Sequence, residues 1–182
     1  MKRLFDTALA LSVLIIASPL FLVIACVIIA TSPGPAIFSQ TRVGKNEVLF
    51  RCLKFRTMHT GTPNVASHDA TRSWITPFGS LLRRTKLDEL PQLINVVRGE
   101  MSLVGPRPCL PHQEELINER RSRGVFDVLP GITGSAQLAG IDMSMPRRLA
   151  TADAEYIEER SFLRDLSILA KTALGRGSGD AI

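Results

Sequence analysis

No charged residue lies between Asp6 and Arg42. Inside that gap, residues 9–30 read LALSVLIIASPLFLVIACVIIA. About 20 apolar residues are enough to cross a bilayer as a helix, so this run constrains the chain more than any other feature. Three readings compete. One is a transmembrane helix. Another is a secretory or lipoprotein signal, with Val23-Ile24-Ala25-Cys26 as the lipidation box. The third is a membrane-embedded helix that breaks at Ser18-Pro19 and returns to the side it entered. The signal fits worst: Asp6 sits in its basic region, Pro19 bisects its apolar stretch, and the run continues past Cys26.

Charge and Pro19 separate the other two. Lys2 and Arg3 precede the run; Arg42, Lys45, Arg51, Lys54 and Arg56 follow it, against the single acid Glu47. Basic flanks prefer the cytoplasm. A span would put one of them outside, whereas a hairpin keeps both inside. Pro19 lies near the middle, where its missing N–H and its ring bend or break a helix. Each half, residues 7–17 and 20–30, is about 16 Å long at 1.5 Å per residue, too short to cross alone. Carbonyls freed at the bend need donors, and the Ser18 hydroxyl is at hand. The expectation is a re-entrant hairpin over residues 1–32 with both termini cytosolic.

The remaining sequence suits one body, residues 33–174, followed by a flexible Gly-rich tail, residues 175–182. The chain of 182 residues is 45% apolar and 21% charged, which supports a packed core. Its net charge of +5 implies an anionic partner: nucleic acid, acidic lipid or a phosphorylated substrate. Nucleic acid is disfavoured, because no basic-aromatic interleaving appears among eight Phe, one Trp and one Tyr. Cys26, Cys52 and Cys109 are widely spaced and odd in number, as free thiols are. His59, His68 and His112 have no ligand spacing. A β-hairpin is predicted over 37–42 and 48–55 around Gly44-Lys45-Asn46, with a loop over 60–73. Helices are predicted over 80–85, 89–97 and 111–123. Residues 130–137 read as a turn-rich loop, and 147–174 carry helical periodicity. No P-loop, dinucleotide fingerprint, nucleophile elbow or Asp-x-Asp pair is present; Asp153-Ala154-Glu155 comes nearest to the last and reads as a helix surface.

Two clusters suit phosphate chemistry. In Arg83-Arg84-Thr85-Lys86-Leu87-Asp88-Glu89-Leu90-Pro91, the plain reading is helix punctuation, with Asp88 as N-cap and Pro91 in the first turn. That reading leaves two carboxylates at a helix start among cations, where an ionised Asp88 could attack phosphorus or hold a metal. In Gly105-Pro106-Arg107-Pro108, two prolines fix the backbone on either side of one arginine. This is either a rigid turn with an exposed Arg or a guanidinium held to grip phosphate.

Taken with five further blocks, these clusters make the chain resemble the bacterial sugar transferase family, specifically its small monotopic phosphoglycosyl transferases. The blocks are Lys2-Arg3-x-x-Asp6, Ser18-Pro19, Phe38-x-Gln40-x-Arg42-x-Gly44, Lys54-Phe55-Arg56-Thr57-Met58 and Pro130-Gly131-Ile132-Thr133-Gly134. With 87–96 and 101–108 they run in order along almost the whole chain. The resemblance implies an α/β (α+β) fold, mainly helical, with a re-entrant helix-break-helix and amphipathic interfacial helices. It implies transfer of a sugar phosphate from a UDP-sugar to polyprenol (undecaprenyl) phosphate with release of UMP. It places the protein on the cytosolic face of the bacterial inner membrane, at the first membrane step of glycoconjugate synthesis. Carried over residue by residue, Asp88 is the nucleophile and Glu89 holds Mg²⁺. Arg107, between Pro106 and Pro108, binds phosphate, and Arg83 and Lys54 support it. Many relatives have an aromatic and an Asn-Gly-Arg run after Pro-Gly-Ile-Thr-Gly, where this chain has residues 135–144, SAQLAGIDMS; the sugar is therefore left open. The rival reading is a non-catalytic basic membrane scaffold or acidic-lipid binder, which would tolerate loss of Asp88 and Arg107.

Overall fold

A computed structural model of the protein describes residues 2–62 and 71–175, except for the side chain of Arg72. Two helices, α1 (Lys2–Ile16) and α2 (Ser18–Thr31), form the apolar N-terminus and are bent by 62° at their junction. Pro19 has no N–H for the carbonyl of Ile15, four residues back. The Ser18 hydroxyl donates to that carbonyl at 2.8 Å, so the bend carries its own replacement bond. Among the described residues no single helix is long and apolar enough to cross a membrane; the bent pair has the length and composition together.

A β-hairpin follows, β1 (Ile37–Val43) against β2 (Leu49–Phe55), with Ile37 opposite Phe55 and Val43 opposite Leu49. Helix α3 (Pro77–Arg84) starts at Thr76, whose hydroxyl accepts from the Gly79 amide at 2.9 Å. The chain continues through α4 (Gln92–Arg98), β3 (Ser102–Val104), α5 (Glu114–Arg121), β4 (Gly131–Thr133), α6 (Ser135–Leu138), α7 (Pro146–Glu158) and α8 (Phe162–Ala173). The sheets are two separate pairs: β1–β2 antiparallel and β3–β4 parallel. The architecture is thus mixed helix and strand with small sheets, as the sequence suggests.

Several elements differ from expectation. The helix expected over 89–97 starts only at Gln92, and Asp88 is not its N-cap. Pro91 cannot donate to the Leu87 carbonyl, so the Leu90 amide takes it at 3.2 Å and residues Leu87–Glu89 close as a separate 3₁₀ turn. The expected loop over 130–137 contains β4 and α6 instead. Strands of three residues are too short to show alternation, and this pair forms because glycines let the backbones touch. A Cβ on Gly131 would lie 2.1 Å from the Gly105 nitrogen. The helix expected from residue 111 begins at Glu114, after the Gln113 side chain accepts from the Leu110 amide at 2.8 Å. The periodic stretch 147–174 is broken before Ser161, whose hydroxyl caps α8 at the Arg164 amide. Part of the expected loop over 60–73 and the tail from residue 176 lie outside the described residues.

The core holds α1 and α2 against the body. Ala10 of α1 is fully buried with Val96, Met101, Leu103 and Ile168, while Ile24 and Ile28 of α2 pack on Phe55 and Leu82. Each such aliphatic side chain contributes about 2 kcal/mol relative to exposure. The opposite faces of both helices remain apolar and exposed, including Ile15, Ile16, Leu22, Val23 and Ile29. Polar bonds fix α1 as well. Asp6, buried, accepts from the Ser102 hydroxyl at 2.6 Å, and Lys2 lies 2.6 Å from Asp165. Asp165 also accepts from the Tyr156 hydroxyl at 2.6 Å; burial, then this contact, pushes the Tyr156 phenol well up.

Candidate active site

The site forms where β2, α3 and the 3₁₀ turn before α4 converge. Side chains of a strand alternate between faces, so Lys54 follows Phe50 and Cys52 on the inner face of β2. Its ammonium meets Glu89 Oε1 at 3.0 Å. The guanidinium of Arg107, entering from the segment after β3, meets the same oxygen at 2.7 Å. Glu89 is thus shared by two cations from distant parts of the chain, with all three side chains largely buried.

Asp88 is next to Glu89 in the turn and only 3% exposed. Lys86 precedes it in the left-handed region at φ 59°, uncommon for a residue with a Cβ. This reversal lets α3 end at Arg84 and the acidic turn begin three residues later, at Leu87. Asp88, Arg83 and Lys54 line one cavity of about 250 Å³, together with Arg42, Arg56 and Thr57. Helix α3 passes so close to the Thr57 backbone that a Cβ on Gly79 would lie 2.1 Å from its carbonyl oxygen. That approach lets Arg83 Nε donate to the Thr57 hydroxyl at 2.9 Å. Its Nη1 is buried and meets no acceptor among the described residues, a donor available to an anionic ligand.

The structure therefore brings Asp88, Glu89, Lys54, Arg83 and Arg107 together. Pro106 and Pro108 are buried beside Arg107 and shape its backbone. Ser18 and Pro19 sit at the bend between α1 and α2, as expected. Cys52 and Cys109 take no part: burial pushes both thiols up, away from the thiolate that a nucleophile needs.

Three residues matter that their residue type alone did not single out. Asn95, fully buried on α4, accepts from the Leu53 amide at 3.0 Å and donates to the Arg51 carbonyl at 2.8 Å, which holds β2 in register with the acidic turn. Arg42 and Arg56 bind backbone carbonyls: Arg42 that of Pro108, Arg56 those of residues 32–35. The only sequence signal for these roles is their place in the ordered blocks.

Comparison with known proteins shows the family. The family model described as "Bacterial sugar transferase" matches residues 1–176. A protein of Caulobacter vibrioides named UDP-glucose:undecaprenyl-phosphate glucose-1-phosphate transferase is 39% identical over 180 residues, covering 94% of this chain and 67% of that protein. The exopolysaccharide production protein PSS of Rhizobium leguminosarum bv. phaseoli is 38% identical over 98% of both chains. An Escherichia coli protein with the same name as the Caulobacter relative is 39% identical, covering 94% of this chain and 39% of its own length.

Proposed function

Because the chain belongs to the bacterial sugar transferase family, we propose that it transfers a sugar 1-phosphate from a UDP-sugar to undecaprenyl phosphate through a covalent intermediate on Asp88. The observation that carries this reading is the acidic pair Asp88-Glu89 set among Lys54, Arg83 and Arg107. A basic scaffold or lipid-binding surface has no use for two carboxylates buried among cations.

The reaction divides into two displacements. An Asp88 oxygen attacks the phosphorus that bears the sugar. The new O–P bond forms as the bond from that phosphorus to the bridging oxygen breaks, and UMP leaves with the electron pair. An oxygen of undecaprenyl phosphate then attacks the same phosphorus and expels the Asp88 carboxylate. Each step needs one substrate in the site, which suits a soluble donor and a lipid acceptor. Arg83, through its buried Nη1, and Arg107 neutralise the diphosphate that would otherwise repel Asp88. Lys54 orients Glu89.

Mg²⁺ is the expected cofactor. Glu89, with Asp88 beside it, offers the carboxylate oxygens that Mg²⁺ takes together with substrate phosphates. No cluster of three acidic, His or Cys ligands occurs among the described residues, so the fit is to a metal shared with substrate. When bound, such an ion supplies charge neutralisation at the diphosphate.

The bent α1–α2 pair, apolar on its outer faces and basic at both flanks, supports a re-entrant insertion into the cytosolic leaflet of the bacterial inner membrane, with both termini cytosolic. Phe162, Leu163 and Leu166 on α8 are exposed apolar residues suited to the interface. Cysteines placed near Lys2 and Lys45 should both resist periplasmic labelling; labelling of the first alone in intact cells overturns the hairpin.

UDP-glucose is the first donor to test, given the names of the Caulobacter and Escherichia relatives. Bilayer-embedded protein given sugar-labelled donor without acceptor should release about one UMP per enzyme in a burst and carry label on Asp88. Asp88→Asn should show neither, and Glu89→Gln should slow the reaction. Normal turnover by Asp88→Asn sinks the covalent mechanism.

A further inference from the structure

The backbone under Arg107 is held in an unusual way. Four successive carbonyls are bound from three separate elements. The Gly131 amide of β4 donates to Pro106 at 2.9 Å, and the Val43 amide of β1 donates to Cys109 at 2.9 Å. Between them, two arginine side chains take the remaining pair: Arg120 Nη1 donates to the Arg107 carbonyl at 2.8 Å, and Arg42 Nη1 to the Pro108 carbonyl at 3.0 Å.

Arg120 is only 2% exposed. Its Nε and Nη2 both donate to Asp153 Oδ2 on α7, at 3.0 and 2.7 Å. Asp153 is equally buried. Burying an ion pair costs desolvation that well-packed apolar residues would avoid, so such a pair is weak evidence for stability and calls for another role. Here the guanidinium is oriented on one edge by Asp153, and its Nη1 donates to the carbonyl of the residue whose side chain reaches Glu89. A planar fork with fixed donor directions makes both contacts at once, which an ammonium does not reproduce. Arg120 does not line the cavity of Asp88, whereas Arg42 does. Arg120 is therefore the probe that leaves the cavity wall intact.

We propose that Arg120, oriented by Asp153, is a positioning residue for the transfer reaction, setting where the Arg107 guanidinium meets substrate phosphate. The inference rests on the reading of Arg107 as a phosphate-binding group. Displacing such a group by about 1 Å costs turnover steeply, up to about a hundredfold.

The test is a double-mutant cycle with bilayer-embedded enzyme, UDP-glucose and undecaprenyl phosphate, scored as UMP released per folded molecule. Arg120→Lys should lower kcat by about tenfold or more. On an Arg107→Ala background, the same change should cost less than about twofold, because its route to the reaction is already gone. A merely structural role would lower the folded fraction and leave kcat per folded molecule unchanged. Asp153→Asn, which keeps the side-chain shape, enters the same cycle and serves if Arg120→Lys does not fold. Two failures are distinguishable. An Arg107→Ala enzyme with undiminished turnover overturns the phosphate-binding reading. An impaired Arg107→Ala enzyme on which Arg120→Lys still costs its full factor overturns the positioning role alone.

Discussion

Two Pro-x-Pro turns in this molecule invite comparison. Pro33-Gly34-Pro35 leads out of α2, and Pro106-Arg107-Pro108 leads out of β3. Both present a row of carbonyls to buried arginine side chains, but the fastening differs. Among the described residues Arg56 alone collects the first row, reaching Ser32 at 2.7 Å, Pro33 at 2.6 Å, Gly34 at 3.2 Å and Pro35 at 2.8 Å. The second row is divided among β1, β4 and α5. One turn is tied by a single side chain and secures the path between apolar segment and body. The other is fixed by the body as a whole and secures the direction of one side chain. The middle residues follow suit. Gly34 has φ 113°, where side chains are strained, and a Cβ there would lie 2.6 Å from the Thr60 methyl. Arg107 sits in no such conformation and carries a long side chain to Glu89.

Gly131→Ala should undo the second turn most severely. Its Cβ would meet backbone atoms of Gly105 and Thr133, which cannot swing aside. The expected loss is about 4 kcal/mol, enough to deny most molecules a folded state in a thermal-inactivation assay and to remove UMP release with it. A mild effect would show that the β3–β4 contact does not underpin the Arg107 turn. Arg56→Ala comes next, at about 3 kcal/mol, because buried carbonyls lose a charged donor. Arg56→Lys should recover under half of that, since three donors replace a five-donor fork; full recovery would refute the single-fastener account. Gly34→Ala should be smallest, at about 2 kcal/mol. Adding Thr60→Ser removes the crowding methyl and leaves the backbone strain, so the double variant should melt between the single variant and the parent.

How much of this was legible beforehand depended on the range of each interaction. The bend at Ser18-Pro19 was legible because its cause is local: one missing N–H, and one hydroxyl beside it. The β1–β2 hairpin was legible because alternation and turn residues announce it, and the gathering of Lys54 and Arg107 about Glu89 because these residues stand in the ordered blocks. The β3–β4 pair was not, since three-residue strands joined by glycine contact leave no periodic trace. The arginine clamps were hidden for another reason. Arg42, Arg56 and Arg120 look like solvated charges in sequence, and the backbone carbonyls they clamp are groups that every residue has. The register of Asp88 was misjudged because Pro91 is accommodated both in the first turn of a helix and just before it, where it stands here as the residue preceding Gln92.

Asn95 has one further consequence. A two-stranded sheet has two outer edges, each a row of open peptide groups on which a foreign strand can build. Along β2 the amide of Leu53 and the carbonyl of Arg51 would be such groups, but the Asn95 side chain takes both. A carboxamide has the same donor and acceptor as a peptide unit, so one side chain stands in for a third strand one residue long. An incoming strand would have to displace a fully buried side chain rather than water. The residue that keeps Lys54 in register thereby also guards this edge against aggregation, a useful property for a chain with so much exposed apolar surface.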